Sequence, residues 1–293
     1  MIISQLIVNG LIAGATYALI AASFSIIFNS LKFMDLSPGA FFVIAAFSVY
    51  SFHVIFGLDL FIAILIALLI VIIVALLVNM FVYRPLRKKK ANSFIMLLVS
   101  FGVFLFLTGV ILLIFGAELR SLGFPIVKGY EFFGIIITKF QIILVLTSLI
   151  IFALLNLFMK ETKIGKAMRA VSDNKDIAST LGINFERFTN VIYAVSAILV
   201  GIAGVLIAVE QNLNHDMGFT VVLKGITASV VGGIGNIPAA LIGGFLIGIV
   251  ENLGIWFLPS GYKDAISFFI LVLFLLFRPR GLFGVKTREE VSG

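Results

Sequence analysis

The sequence predicts an all-α, polytopic membrane protein of eight to nine transmembrane helices, with a Gly-rich broken segment and a short helical loop on the cytoplasmic side. Three observations lead there. Of 293 residues, 61% are apolar and 12% are charged, whereas a soluble domain averages roughly 45–50% apolar and 25% charged. Mean hydropathy is +1.22. The apolar residues fall in long runs between short polar breaks, and one crossing takes about 20 of them. About 179 apolar residues, 61% of 293, therefore allow about nine crossings and leave little for anything outside the bilayer. A soluble enzyme, a large ectodomain and a fused ATPase are excluded on that ground. The chain has no cysteine and two histidines, so disulfides, thiolate metal sites and His-rich metal sites are not expected.

The spans follow in order. Leu6–Phe28 is the first, and the absence of Lys and Arg before residue 32 makes it an uncleaved span and not a signal peptide. The second runs from Pro38 to about Phe56, with Asp35 and Ser37 as N-cap candidates and Pro38 suited to the first helical turn. Leu60–Tyr83 is ended by Arg84-Pro85, and about Phe94–Phe115, Phe140–Met159 and Phe188–Val209 follow. Ile226–Gly235 is short and holds Gly232, Gly233 and Gly235. Asn236-Ile237-Pro238 then restarts a helix to about Phe257, and Ala265–Phe277 is the last span.

Charge sets the topology. The breaks at 29–37, 84–93 and 160–187 and the tail from Arg278 hold 16 of the 21 Lys and Arg residues, which assigns them to the cytoplasm. The net charge of +7 reads the same way and not as a nucleic-acid site. Parity then places the N-terminus outside and the C-terminus inside, so Ile226–Gly235 must supply a ninth crossing as a broken helix extended back towards Phe219. Non-helical backbone at that depth belongs inside the protein. Gly10-xxx-Gly14, Gly201 with Gly204, and Gly244-xxx-Gly248 fit close helix packing, and pore lining would use the same positions.

Few ionisable groups lie deep. Glu251 sits two-thirds along the eighth span, where a carboxylate costs about 2.5–3.5 kcal/mol unless it faces a cavity or a partner. Tyr17, Ser37, Gly39, Gly232, Gly233, Gly235 and Glu251 form the candidate substrate path. No GxxxxGK[ST] loop and no Ser/His/Asp set occurs, so no enzymatic role is expected. The cytoplasmic loop at 160–187 is long for a bundle connection. Ile164, Ala167, Met168 and Val171 share one helical face. Ser172-Asp173-Asn174 opens a second helix reaching Leu181, with Gly182 as its terminator. Such helices lie on lipid or dock into a partner groove, and pattern alone does not choose.

Five motifs in order carry a resemblance. They are Asp35-Leu36-Ser37-Pro38-Gly39-Ala40-Phe41; Tyr83-Arg84-Pro85-Leu86-Arg87; Gly165-Lys166-Ala167-Met168-Arg169-Ala170 with Ala178-Ser179-Thr180-Leu181-Gly182-Ile183-Asn184; Val231-Gly232-Gly233-Ile234-Gly235-Asn236-Ile237-Pro238; and Arg278-Pro279-Arg280-Gly281-Leu282-Phe283-Gly284. Over nearly its whole length the chain resembles the H-type permease subunits of branched-chain amino acid ABC importers. Ala239 is a departure, because many relatives have Gly there. The resemblance implies one transmembrane permease domain over residues 1–293 in a prokaryotic plasma membrane. It implies a second related permease, two cytoplasmic ATPase subunits that bind the ATP, and an extracytoplasmic binding protein; no cofactor is expected in this chain. Gly165, Ala167, Met168, Arg169, Ala170, Asp173, Ala178, Leu181 and Gly182 match the family's ATPase-docking loop. The breaks at 117–139 and 210–224 are candidates for contact with the binding protein. Leu, Ile and Val are the implied cargo, with urea, amides, a ribose-type sugar or a stand-alone carrier as alternatives.

Overall fold

Backbone N–H and C=O groups in hydrocarbon must be satisfied within the chain, and here α-helices satisfy nearly all of them. The computed structural model describes residues 2–124, 129–132, 134–173, 178, 180, 184–278 and 280–283. The first helix is α1 (Ile2–Leu31) and the second α2 (Ser37–Tyr50), prolonged by a π-helical turn to Ile55. Helix α3 (Leu60–Val78) continues through a π-helical turn (Asn79–Tyr83) and a last turn (Arg84–Lys88). Then come α4 (Ser93–Phe115), a small hairpin of β1 (Tyr130–Phe132) and β2 (Ile135–Ile137), and α5 (Lys139–Glu161). The rest is α6 (Lys163–Asp173), α7 (Phe185–Glu210), α8 (Met217–Gly232), α9 (Ile237–Gly254) and α10 (Lys263–Phe277). Among the described residues, eight helices are long and apolar enough to cross a membrane, and α8 is a shorter apolar one.

The caps explain where helices start. Asp59, Asn92, Asn184 and Asn236 each accept a first-turn N–H, and Thr138 with Gln141 forms a reciprocal capping box. At α2 the cap residue is Leu36, not Asp35 or Ser37. Asp35 still serves the helix start, because its Oδ1 accepts from the Ser37 N–H at 2.8 Å.

The bundle has a basic end, holding Lys32, Arg84, Arg87–Lys90 and Arg187, and a hairpin end, holding β1 and β2. At its centre α1 crosses α9 at backbone contact. A Cβ on Gly10 would come within 2.6 Å of Ile249 Cα, one on Gly14 within 2.7 Å of Phe245 Cα, and one on Gly248 within 2.3 Å of the Gly10 carbonyl. The GxxxG pairs are therefore a packing seam, as lipid-embedded helices require. Gly204 does the same for α7, its Cβ direction ending 2.4 Å from the Phe42 carbonyl of α2. Large apolar residues on α3, α4, α5 and α10, such as Leu69, Leu113, Leu154 and Phe277, are exposed and face lipid.

Two helices begin below the surface. The Leu36 N–H donates to Ser100 Oγ, seven residues inside α4, so α2 starts two turns in from the basic end. Asp35 is fully buried there and accepts from Tyr83 Oη at 2.9 Å and Tyr193 Oη at 2.8 Å. The π-helical turn aims Tyr83 at that carboxylate and Asn79 at Asn190, to which it donates at 2.7 Å. From the opposite end, Leu213 pairs with Arg120 just beyond α4, and then α8 starts beside the middle of α4, with Phe219 against Phe101 and Phe104. The two starts meet: a Cβ on Gly39 would lie 2.7 Å from the Gly218 carbonyl, and one on Gly218 2.5 Å from the Gly39 carbonyl.

The expected broken segment is found with shifted bounds. Its helix extends back past Phe219 to Met217 and breaks at the 233–235 glycines, but Ile226–Gly232 is continuous α-helix and a further irregular stretch lies upstream, at 211–216. The helix ends at Gly233 (φ 135°), and Gly235 (φ 82°) completes the turn, both in the region that only glycine adopts readily. Residues of the C-terminal segment close that end, where the Leu282 and Phe283 N–H groups donate to the Val231 and Gly232 carbonyls.

Two predictions follow from the packing. Gly248→Leu will abolish the monodisperse peak in size-exclusion chromatography, whereas Gly102→Leu, where a Cβ meets open space, will leave it intact. Asp35→Ala strands three buried donors and will cost about 3 kcal/mol of stability, read as a lower thermal unfolding midpoint in detergent.

Candidate functional site: a polar cavity above a buried lysine

Because α8 starts deep, the space between its first turns and the hairpin end is not filled by helix. A cavity of about 470 Å³ occupies it, between α1, α2, α5, α7 and α8. Irregular backbone at membrane depth is tolerated where it borders such a cavity, and Gln211 and Asn212 of the 211–216 stretch line it. One wall is apolar, with Ile12, Ile20, Phe42, Ile207 and Val221. The other groups are polar: Asn9, Tyr17, Gln141 and Glu210 on one side, Lys224, Asn252 and Lys263 on the other. Gln141 donates to Glu210 Oε1 at 3.1 Å.

Lys224 is the centre of the charged groups. Its Nζ lies 2.7 Å from Glu251 Oε1 and 2.7 Å from Asp264 Oδ1, and it donates to Tyr17 Oη at 3.2 Å. The ammonium also lies 5.3 Å from the Tyr17 ring centroid. Ser267 Oγ donates to Glu251 Oε2 at 3.1 Å, and Lys263 Nζ donates to Asn252 Oδ1 at 3.2 Å. Helices α1, α8, α9 and α10 are thus tied through one lysine. The two carboxylates differ: the Glu251 side chain is 2% exposed and that of Asp264 50%. A buried ion needs its partner, since losing it leaves an uncompensated charge. The half-exposed Asp264 can be rehydrated, so it is the partner Lys224 can exchange.

The expected path residues divide into three groups. Tyr17 and Glu251 come together at this cluster, Tyr17 donating to Glu251 Oε1 at 3.4 Å. Ser37 and Gly39 are buried at the deep start of α2. Gly232, Gly233 and Gly235 lie at the basic end, where Gly232 leaves room for the Ala239 carbonyl, 2.1 Å from its Cβ direction; they form a packed turn and do not line the cavity. Asn79 is occupied by its bond to Asn190. Sequence reasoning missed Lys224, Asp264 and the Asp35–Tyr83–Tyr193 set. Lys224 closes the break at 210–224 in the sequence, but in the structure it lies on α8, inside the apolar run Val221–Ala228.

The loop residues also divide. Gly165 sits where α5 turns into α6, its Cβ direction 2.3 Å from the Phe158 carbonyl, and its N–H donates to Thr162 Oγ1. Met168 is fully buried and Val171 3% exposed, whereas Ile164 is exposed and Ala167 half-buried. This corrects the expectation for Met168 and Val171, which pack on their own bundle and are not offered to a partner. Ser172 Oγ pairs with Ser30 Oγ of α1 at 3.1 Å. The outer side of α6 presents Lys163, Ile164, Lys166 and Arg169, with Ala167 and Ala170 half-buried. Asp173 ends α6 and Ala178 is buried; Leu181 and Gly182 lie outside the described residues.

Residues 6–275 match the family model described as the branched-chain amino acid transport system permease component. The chain is similar to the high-affinity branched-chain amino acid transport system permease protein LivH of Escherichia coli K12, at 31% identity over 98% of this chain and 97% of that one. It is similar to the corresponding BraD protein of Pseudomonas aeruginosa at 29% identity with the same coverage. Among solved structures, a chain of PsaBC from Streptococcus pneumoniae in complex with Fab superposes with a TM-score of 0.51, at 15% identity over 93% of this chain and 91% of that one. That likeness concerns the fold.

The cluster generates a double-mutant test. Lys224→Met alone will destabilise the protein by about 3–5 kcal/mol, because Glu251 stays buried and unpaired. Adding Glu251→Leu will restore much of the loss. Additive effects in thermal unfolding would show that the pair does not hold the helices together.

Proposed function

The chain belongs to the family of permease components of branched-chain amino acid transport systems, and from that premise we propose that it moves leucine, isoleucine and valine inward as the membrane subunit of an ABC importer. The observation that carries the site-level reading is the cavity itself. Its volume of about 470 Å³ falls in the range of about 300–1,000 Å³ usual for small-molecule sites. An aliphatic amino acid is a zwitterion with an apolar side chain, and the cavity offers a lysine, a carboxylate and an apolar wall. Lys224 takes the substrate carboxylate in exchange for Asp264, Glu210 takes the ammonium, and Phe42, Ile207 and Val221 cover the side chain.

The basic end faces the cytoplasm by the positive-inside rule. The N-terminus is then outside and the C-terminus inside, with α8 and the 211–216 stretch together making the ninth crossing. The cavity lies on the outer side, where an extracytoplasmic binding protein delivers the amino acid, and its contact surface is the break at 117–139 together with the non-helical part, 211–216, of the break expected at 210–224. The ninefold-spanning unit carries no nucleotide site of its own. A second related permease completes the path, and two cytoplasmic ATPase subunits bind and hydrolyse ATP. They dock on the outer side of α6, at Ile164, Lys166 and Arg169. Alternating access requires the substrate to bind the outward and inward states with different affinity, and exchange of Lys224 between Asp264 and substrate supplies such a difference.

Proteoliposomes holding the complete importer will take up leucine with ATP inside, and valine and isoleucine will compete. Leucinol, which lacks the carboxylate, will not. Uptake of urea or ribose in place of leucine would sink the substrate assignment, and uptake without ATPase subunits would sink the ABC reading. Lys166→Glu with Arg169→Glu will reduce substrate-stimulated ATP hydrolysis at least tenfold while the chain still inserts; undiminished stimulation would remove α6 from the docking surface.

A further inference from the structure

A second cavity, of about 490 Å³, opens at the basic end between α1, the α3–α4 turn, α6 and the start of α7. Among the described residues its polar lining is Ser30, Lys32, Arg87, Lys90, Ser93 and Ser172, with no carboxylate. We propose that this cavity binds a phosphate-bearing anion, wedged between the coupling helix α6 and the body of the bundle.

Two independent features converge there. Arg87 donates through Nη2 to Glu186 and Thr189, but its Nε and Nη1 are buried without a hydrogen-bond partner. Those two donors leave the guanidinium in different directions, so each can take a separate oxygen acceptor. Lys32 (φ 56°) and Lys90 (φ 54°) are the non-glycine residues with positive φ among the described residues, and both line this cavity. Each follows the end of a helix, at a position glycine or asparagine fills at lower cost. A helix C-terminus favours a cation, which accounts for a lysine nearby but not for one held in the left-handed region. The ammonium groups are therefore the reason to keep these residues, and local strain of this kind collects at ligand sites. The hydroxyls are bonded within the protein: Ser172 Oγ donates to the Met168 carbonyl and pairs with Ser30 Oγ across the α1–α6 contact, and Ser93 Oγ donates to the Lys32 carbonyl, so the charged donors are those of Lys32, Lys90 and Arg87.

An anion placed there bridges Lys32, just beyond α1, and the Arg87–Lys90 turn, against the Val171 and Ser172 wall of α6, so occupancy fills the space between α6 and the end of α1. Two sources share the chemistry. Basic pockets at the cytoplasmic ends of helices collect anionic lipid headgroups, and soluble phosphate carries the same oxyanion.

The test uses the full-length protein purified in neutral detergent and followed by thermal unfolding. Phosphatidylglycerol, phosphatidylcholine and inorganic phosphate are added separately. The expected result is a rise of about 5 °C with phosphatidylglycerol, a smaller one with phosphatidylcholine, and loss of both in Lys32→Asn/Lys90→Asn. Asparagine accepts the left-handed conformation, so this variant keeps the fold without the charge. Lys139→Gln, at the hairpin end, controls for general charge effects and will respond like the parent. A shift with phosphatidylglycerol alone identifies the lipid headgroup; an equal shift with inorganic phosphate identifies a soluble anion. No shift with either, or an undiminished shift in the Asn variant, overturns the proposal.

Discussion

The backbone contact between α1 and α9 is the constraint on which the rest of the structure depends. Four glycines, Gly10, Gly14, Gly244 and Gly248, remove the side chains that would hold the two helices apart. In lipid the helices gain nothing by hiding apolar surface from water, so close van der Waals contact must supply the attraction. The same contact puts Tyr17 within reach of Glu251. Once α8 packs on this pair, Lys224 has no neutral place to go and must be matched by Glu251 and Asp264. The charged cluster is thus a consequence of the seam and also a second lock on it, because it adds α10 to the same group of helices.

The second organising feature is the pair of short helices entering from opposite ends. Helices α2 and α8 begin inside the bundle and touch at Gly39 and Gly218. Each start has to satisfy its free N–H groups away from water. Asp35 does this for α2, and two tyrosines hold its carboxylate. Above α8 there is a polar cavity, bordered by irregular chain. A full-length helix in the place of α8 would have filled that volume. The accessible polar space in an otherwise apolar protein therefore comes from one helix being short, and the lysine that serves it comes from the second turn of that helix.

Much of this was written in the sequence. Eight spans are found close to the expected positions because runs of apolar residues longer than 17 have few alternatives to a membrane helix. The restart at Asn236-Ile237-Pro238 is local chemistry and is found, with Asn236 as the cap, whereas the cap of α2 is Leu36 and not Asp35 or Ser37. Glu251 stood out because an acid is costly in the middle of a span. Its partner did not, because Lys224 lies 27 residues away and one lysine beside a polar break resembles an ordinary loop residue. The face of α6 was misassigned for a similar reason. Its periodicity fixes which residues share a side, but the packing of Met168 and Val171 on α1 depends on where α5 delivers the helix, and that is set by the Gly165 turn.

By itself, the sequence determined that this chain is a bundle of membrane helices, roughly where the long apolar ones lie, and which end is basic. Each of those properties is a sum over neighbouring residues, governed by transfer free energy and by capping. Only the tertiary structure decided which polar groups meet, where a helix falls short and leaves a cavity, and which face of α6 remains free. Those depend on distances between residues far apart in the chain, and such distances follow from how closely whole helices can approach.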